Sequence, residues 1–304
     1  MKNTIRVTLT AALAMCITAL HAQTTDTTKT IKRPKKTISL SFPGGVSVAD
    51  ADTFKHRTAH DEMLKEKKEH RIQFGDLVFD LGINLLNDKT NYNNSLATYQ
   101  YIAPALPAPG QTSNLTGTYK SLFDLRTAKS VNVNIYPLMA KLRVLRTEHQ
   151  KIYLTTGLGL QLYNFRYEQP ITYTREPSIY YNYTPLKKDK LGIDYLNVPL
   201  MLTFKTRISD KNGLASKERW FIYGVGITEG FRLDSWNKQV TDGGNKTKVH
   251  DQFGLNDFNT CITGEIGVEN RLRLYASYQV TSLYQSSVGI DQHPISIGIR
   301  LSGI

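Results

Sequence analysis

Residues 151–165 read KIYLTTGLGLQLYNF. Ile152, Leu154, Leu158, Leu160 and Leu162 fall on one parity, and Tyr153, Thr155, Gly157, Gly159, Gln161 and Tyr163 on the other. A period of two is the repeat of a β-strand, whose successive side chains point to opposite faces. One face is therefore oily along its whole length, while the other is polar, small or aromatic.

The same texture recurs from residue 71 onward, and no sustained i, i+3, i+4 pattern interrupts it. In 195–206 the apolar row is Leu196, Val198, Leu200, Leu202 and Phe204. In 220–233 it is Phe221, Tyr223, Val225, Ile227, Phe231 and Leu233. Segments 74–86, 258–268, 271–281 and 294–302 repeat it. In 129–146 the apolar row runs Val131, Val133, Ile135, then changes parity at Tyr136-Pro137 and continues through Leu138, Ala140, Leu142 and Val144. A β-bulge makes such a shift, and a proline inside a strand belongs at a bulge or an edge. The total is eight strands.

Links at 147–150, 209–218 and 269–270 are short, while 87–128, 166–190, 234–257 and 284–293 are longer and polar. Alternating short turns and long loops, with strands of ~9–11 residues, predict an all-β fold: an eight-stranded antiparallel up-and-down transmembrane β-barrel. The polar rows then face the lumen. They gather Asp76, Asp80, Lys141, Arg143, Lys205, Arg232, Glu265, Arg271, Arg273 and Arg300. A dry core could not hold these charges unpaired, whereas a lumen lets them pair or meet water. Mutual pairing and hydration is the simpler role, and a proton or ion path is the alternative. Eight strands leave room for little beyond side chains, so a plugged interior is expected. Glu229 falls on the oily row. It sits near headgroups, or a bulge turns it inward, or the register shifts there.

The chain has 304 residues and a formal net charge of +12, from 38 Lys and Arg against 26 Asp and Glu. A soluble α/β enzyme would fit that composition equally well. The N-terminus is more informative. Lys2 and Arg6 precede an uncharged, mostly apolar run from Val7 to Leu20, and Ala22-Gln23 offers a cleavage point. Residues 1–22 read as a signal peptide, the run being too short for the ~20 residues that cross a bilayer. Cys16 follows bulky Met15, which favours plain cleavage over lipid attachment. Cys261 is then the one remaining cysteine, so no disulfide framework is expected. Residues 23–70 are Thr-rich, then basic (Lys29, Lys32, Arg33, Lys35, Lys36), then charged almost throughout. They read as a partly helical or disordered periplasmic extension. The barrel occupies 71–304.

Tyr195-Leu196-Asn197-Val198-Pro199-Leu200-Met201-Leu202 resembles a strand of the PorT-like outer-membrane β-barrel proteins of Bacteroidota. Thr155-Thr156-Gly157-Leu158-Gly159-Leu160 is similar to a second strand of that family. Lys129-Ser130, Tyr275-Ala276-Ser277-Tyr278 and His293-Pro294-Ile295-Ser296-Ile297-Gly298 also fit, as does Ala22-Gln23. The resemblance spans roughly residues 74–302. It implies the outer membrane of a Gram-negative cell envelope and a barrel, with no reaction attached. Some relatives assist a secretion machine. The chain departs from many barrels in ending Leu301-Ser302-Gly303-Ile304, without a terminal aromatic residue.

No nucleophile elbow, phosphate loop or His-Glu-x-x-His occurs, so no enzyme, cofactor or metal site is expected. His56, His60 and His70 read as solvated side chains. The expected partners are outer-membrane lipid and an envelope or secretion-machinery protein; export argues against nucleic acid. The basic cluster at 29–36 would touch anionic headgroups or stay solvated. Tyr173, Tyr180, Tyr181 and Tyr183 read as a partner-binding loop, a strand extension or an interfacial aromatic belt. A structural or interaction role is the leading expectation, and a small-solute or ion channel with a basic lumen is the alternative.

Overall fold

The alternating segments form eight long strands in the computed structural model, which describes residues 71–75, 77–92, 102–103, 119–174, 179–181, 184–208, 219–269 and 272–302. They are β1 (Val78–Asp88), β2 (Val131–Arg146), β3 (Gln150–Arg166), β4 (Leu186–Ile208), β5 (Arg219–Thr241), β6 (Phe258–Val268), β7 (Arg273–Gln279) and β8 (Gln292–Ser302). Each pairs antiparallel with its neighbour in sequence, and β8 closes on β1. The sheet is thus an antiparallel ring of eight strands. Closure pairs every ladder edge, which removes the unpaired strand edges of an open sheet. Residues 1–22, read as a signal peptide, and residues 23–70, read as an extension with a basic cluster, lie outside the described residues.

The stagger of the ring follows from its register. The pairs Ile222–Gly267, Gly267–Arg273, Arg273–Arg300, Arg300–Asp80, Asp80–Asn134, Asn134–Gln161, Gln161–Tyr195 and Tyr195–Arg232 make one circuit. It starts on β5 at Ile222 and returns to β5 at Arg232, ten residues further along (232 − 222). With ~3.3 Å per residue and ~4.8 Å between strands, a stagger of ten over eight strands tilts them by about 40°.

The oily rows point outward. Leu81, Ile83, Leu138, Leu158, Leu160, Leu200, Val225, Ile227, Ile262, Leu274 and Ile297 are all exposed. Glycines make room inside: a Cβ on Gly159 would lie 2.4 Å from the Tyr136 ring, and one on Gly82 would lie 2.4 Å from Tyr275 Oη. The expected bulge at Tyr136-Pro137 is present, as a register shift between Ile135 and Leu138.

Two strands run further than their apolar rows suggest. β4 and β5 each have 23 residues and continue through parts of 166–190 and 234–257 that read as loop. The cause is a second bulge. Asp194 pairs Asp234 while Tyr195 pairs Arg232, leaving Leu233 as an extra residue. Beyond it the faces exchange chemistry: Leu191 and Ile193 are buried, and Lys190, Trp236 and Lys238 take the outward parity. The oily outer row that marked the strands below is absent there. Lys246–His250 adds a further strand to β5.

The loops fold over this end. Ile171–Tyr173, Ile179–Tyr181 and Ile102–Ala103 form a small three-stranded sheet. Phe123, Tyr167, Ile171, Tyr173, Phe253, Leu255, Tyr284 and Val288 join Tyr163, Phe165, Leu191, Ile193 and Tyr195 in one buried apolar cluster. The ring is therefore oily inside at its long-loop end and polar inside toward its short-turn end.

Candidate functional site

Four of the charges assigned to the lumen meet in one buried network. Arg300 Nε and Nη2 donate to Asp80 Oδ1 and Oδ2 at 2.7 and 2.8 Å. Arg300 Nη1 and Arg273 Nη1 both donate to Glu265 Oε2, at 3.2 and 3.1 Å. Asn134 Nδ2 adds a bond to Asp80 Oδ2 at 3.1 Å. Arg273 and Arg300 are direct cross-strand partners, an arrangement that repels unless something bridges it. Glu265, reaching over from β6, is the bridge.

The other predicted charges disperse. Lys205 Nζ pairs with Glu269 at 2.5 Å and stands over the Tyr153 ring. Lys141 and Lys205 line a cavity of about 30 Å³ at the short-turn end, together with Glu265, Arg273 and Arg300. Arg143 is half-buried on the β2 row that holds Lys141, opposite Tyr153. Arg232 belongs to the other end, where it bonds Ser235 Oγ, the Asn256 carbonyl and Asp257. Asp76 and Arg271 lie outside the described residues. Glu229 keeps its outward parity and is half-buried, its Oε2 accepting from Thr260 Oγ1 at 3.0 Å.

Above the ion network, uncharged polar side chains fill the bore. Gln161 Oε1 accepts from both Asn197 and Asn259, at 3.0 and 3.1 Å. Tyr275 Oη donates to Asn132 at 2.8 Å, and Ser296 to Asn84 at 2.8 Å. Beyond this tier the apolar cluster takes over. Tyr173 lies inside that cluster, its hydroxyl 2.7 Å from Tyr167 Oη and 2.9 Å from Tyr284 Oη, so it is a plug residue and not an exposed contact. Tyr180 and Tyr181 lie on the short strand Ile179–Tyr181; Tyr183 falls outside the described residues. The larger cavity, about 550 Å³, is not in the bore. It opens beside Leu85–Asp88, Phe123–Leu125 and Glu168 at the long-loop end.

Sequence reading passed over the residues that tether the plug. Asp189 is buried among them, its Oδ2 accepting from Ile171 N at 2.6 Å and its Oδ1 from Asn237 Nδ2 at 3.1 Å. Gln239 Nε2 donates to Ile171 O and Thr172 Oγ1 at 2.8 and 2.9 Å. Asp189, itself bonded by Asn237, and Gln239 thus hold strand Ile171–Tyr173 inside the mouth. Burial raises the Asp189 carboxyl to about 7, against the opposing pull of its donors. The only available signal was alternation of Asp189 with Leu191 and Ile193, inside a segment that reads as loop.

Among the described residues no group of three His, Cys, Asp or Glu could hold a metal ion. No family model matches the chain, and no curated protein matches it.

Proposed function

We propose that this chain is an outer-membrane β-barrel protein, PorT-like as its strand motifs suggest, with a structural or interaction role in the cell envelope. The observation that carries the reading is the apolar outer surface of a closed ring. Twenty-two large hydrophobic side chains are exposed among the described residues, nearly all on that surface. Water would not tolerate so continuous a patch on a monomer, whereas acyl chains would require it. The belt has a suitable height. On β5 it runs from Phe221 to Leu233, twelve steps, or about 30 Å once tilted by about 40°. No described helix is long and apolar enough to cross a membrane.

A packed bore favours anchoring over conduction. The aromatic plug fills one end and the Asp80–Arg300–Glu265–Arg273 network the other. The partner is expected at the long-loop end, an envelope or secretion-machinery protein, and no catalytic role is proposed. The test is cell fractionation with gel migration before and after boiling. Recovery with outer membranes and faster migration unboiled are expected; a soluble chain with heat-independent migration overturns the reading. The channel alternative rests on Lys141 and Lys205 at the short-turn cavity. Planar bilayers should stay silent, and steady anion-biased steps would establish it instead.

A further inference from the structure

Above the Leu233 bulge, four basic side chains stand in a single row across four adjacent strands. Arg166 pairs Lys190, Lys190 pairs Lys238, and Lys238 pairs Lys248. Directly paired residues share a face, so all four project outward, opposite the buried Phe165, Leu191 and Asn237. One step further out, Lys188 and Lys246 flank Val240 on the same face. Neighbouring strands lie only ~4.8 Å apart, and like charges placed directly opposite destabilise a sheet. Among the described residues no ion pair neutralises the five lysines. Lys190 is held down to about 8 by burial and then by Lys188 and Lys238, and Lys188 is lowered by burial and then by Lys238, Arg166 and Lys246. Asp194, on the same face, offsets part of this repulsion at Lys190 and Lys248, and a polyanion would offset the rest.

The position says which polyanion. The row sits four residues past Asp234, about 10 Å in height above the apolar belt. The headgroup layer outside the hydrocarbon is ~5–8 Å deep on each side, within reach of flexible lysine stems. Trp236 lies between belt and row, with Lys190 and Lys248 4.7 and 4.6 Å from its ring centre. Indole favours that interface. Across the ring, β1 ends at Asp88 and Asp291 lies just before β8, with Lys89 beside them.

We propose that the outward face formed by Arg166, Lys188, Lys190, Lys238, Lys246 and Lys248 binds the phosphate-bearing headgroups of anionic lipids in the leaflet around the long-loop end. The proposal rests on the membrane reading above, and its test separates the two. The full chain carrying Trp220→Phe, with Trp236 as its one tryptophan, is refolded into brominated phosphatidylcholine or brominated phosphatidylglycerol. Quenching of Trp236 then gives the relative affinity for each lipid. Phosphatidylglycerol should be preferred at low salt. Lys190→Gln/Lys238→Gln/Lys248→Gln should reduce that preference by about a hundredfold or to nothing, each charge near a membrane counting for roughly a factor of five. The matching triple arginine variant should keep it. Equal quenching by both lipids, or a preference that survives the glutamines, overturns the proposal while heat-modifiable migration keeps the barrel. Displacement of phosphatidylglycerol by inorganic phosphate also overturns it, by revealing a site for the free anion. Loss of heat-modifiable migration in the parent chain instead rejects the membrane reading.

Discussion

Arg300, third residue from the end of β8, grips Asp80, third residue of β1, through two bonds of 2.7 and 2.8 Å. The pair lies across the seam where the last strand meets the first. Both side chains are buried, so removing one strands the other. Arg300→Met should cost about 3–5 kcal/mol. Asp80→Asn should cost less, because Arg300 keeps Glu265. Urea titration of the folded, fast-migrating gel band would measure both. Equal stability of Arg300→Met and the parent chain would show that the seam does not depend on this pair.

The outer surface makes a separate demand. Ile227 is 50% exposed near the middle of the β5 apolar row, and Phe74, on a short strand Ile72–Phe74 that pairs with β2, is 69% exposed near the short-turn end of the outer surface. Ile227→Arg should destabilise the chain in lipid by about 2–4 kcal/mol, and Phe74→Arg by about 0–1 kcal/mol. A depth profile of this kind needs acyl chains around the ring. Two equal, small effects in refolding titrations would argue for an aqueous surround.

The ring was legible in sequence because its outer face obeys one rule over long stretches. Leu196, Val198, Leu200 and Leu202 declare a strand without reference to any neighbour, and even the parity shift at Tyr136-Pro137 is a local signal. Above Leu233 the rule inverts. Leu191 and Ile193 turn inward to the plug and lysines turn outward, so a segment that reads as loop is strand. The lumen charges were legible as residue types but not as partners. Asp80 and Arg300 are 220 positions apart, and only the register of the closed ring selects Arg300 over Arg273 or Arg232 for Asp80. Asp189 was missed because nothing in its own strand announces the loop strand that docks on it.

Cys261 reports on the packing of the bore. It faces inward on β6, 1% exposed, with its Sγ 3.9 Å from Tyr163 Oη at the boundary of the polar and aromatic tiers. If the leader is cleaved, it is the one thiol of the mature chain. A charged maleimide should therefore label the folded protein at least a hundredfold more slowly than the urea-unfolded chain, at equal pH. Rapid labelling of the fast-migrating folded band would mean that water and solutes traverse the bore.

The plug should loosen as pH rises, through Asp189. Its carboxyl titrates near 7 in the folded chain, against the ordinary value of 3.8. Below about 4 it is protonated whether the plug is docked or open, and contributes no pH dependence. Between about 4 and 7 only the open form ionises, so each step upward favours opening; above 7 both forms are charged and the penalty is complete. The contact at risk is the 2.6 Å bond from Ile171 N, with Gln239 left to hold the strand. Amide exchange at Ile171 and Thr172, corrected for intrinsic chemistry, should lose protection progressively from pH 4 to 7 and then level off. Asp189→Asn should abolish that slope while leaving amides of the Gln161 tier unaffected. A wild-type slope of opposite sign, with protection growing as pH rises, would mean that the donors around Asp189 outweigh its burial.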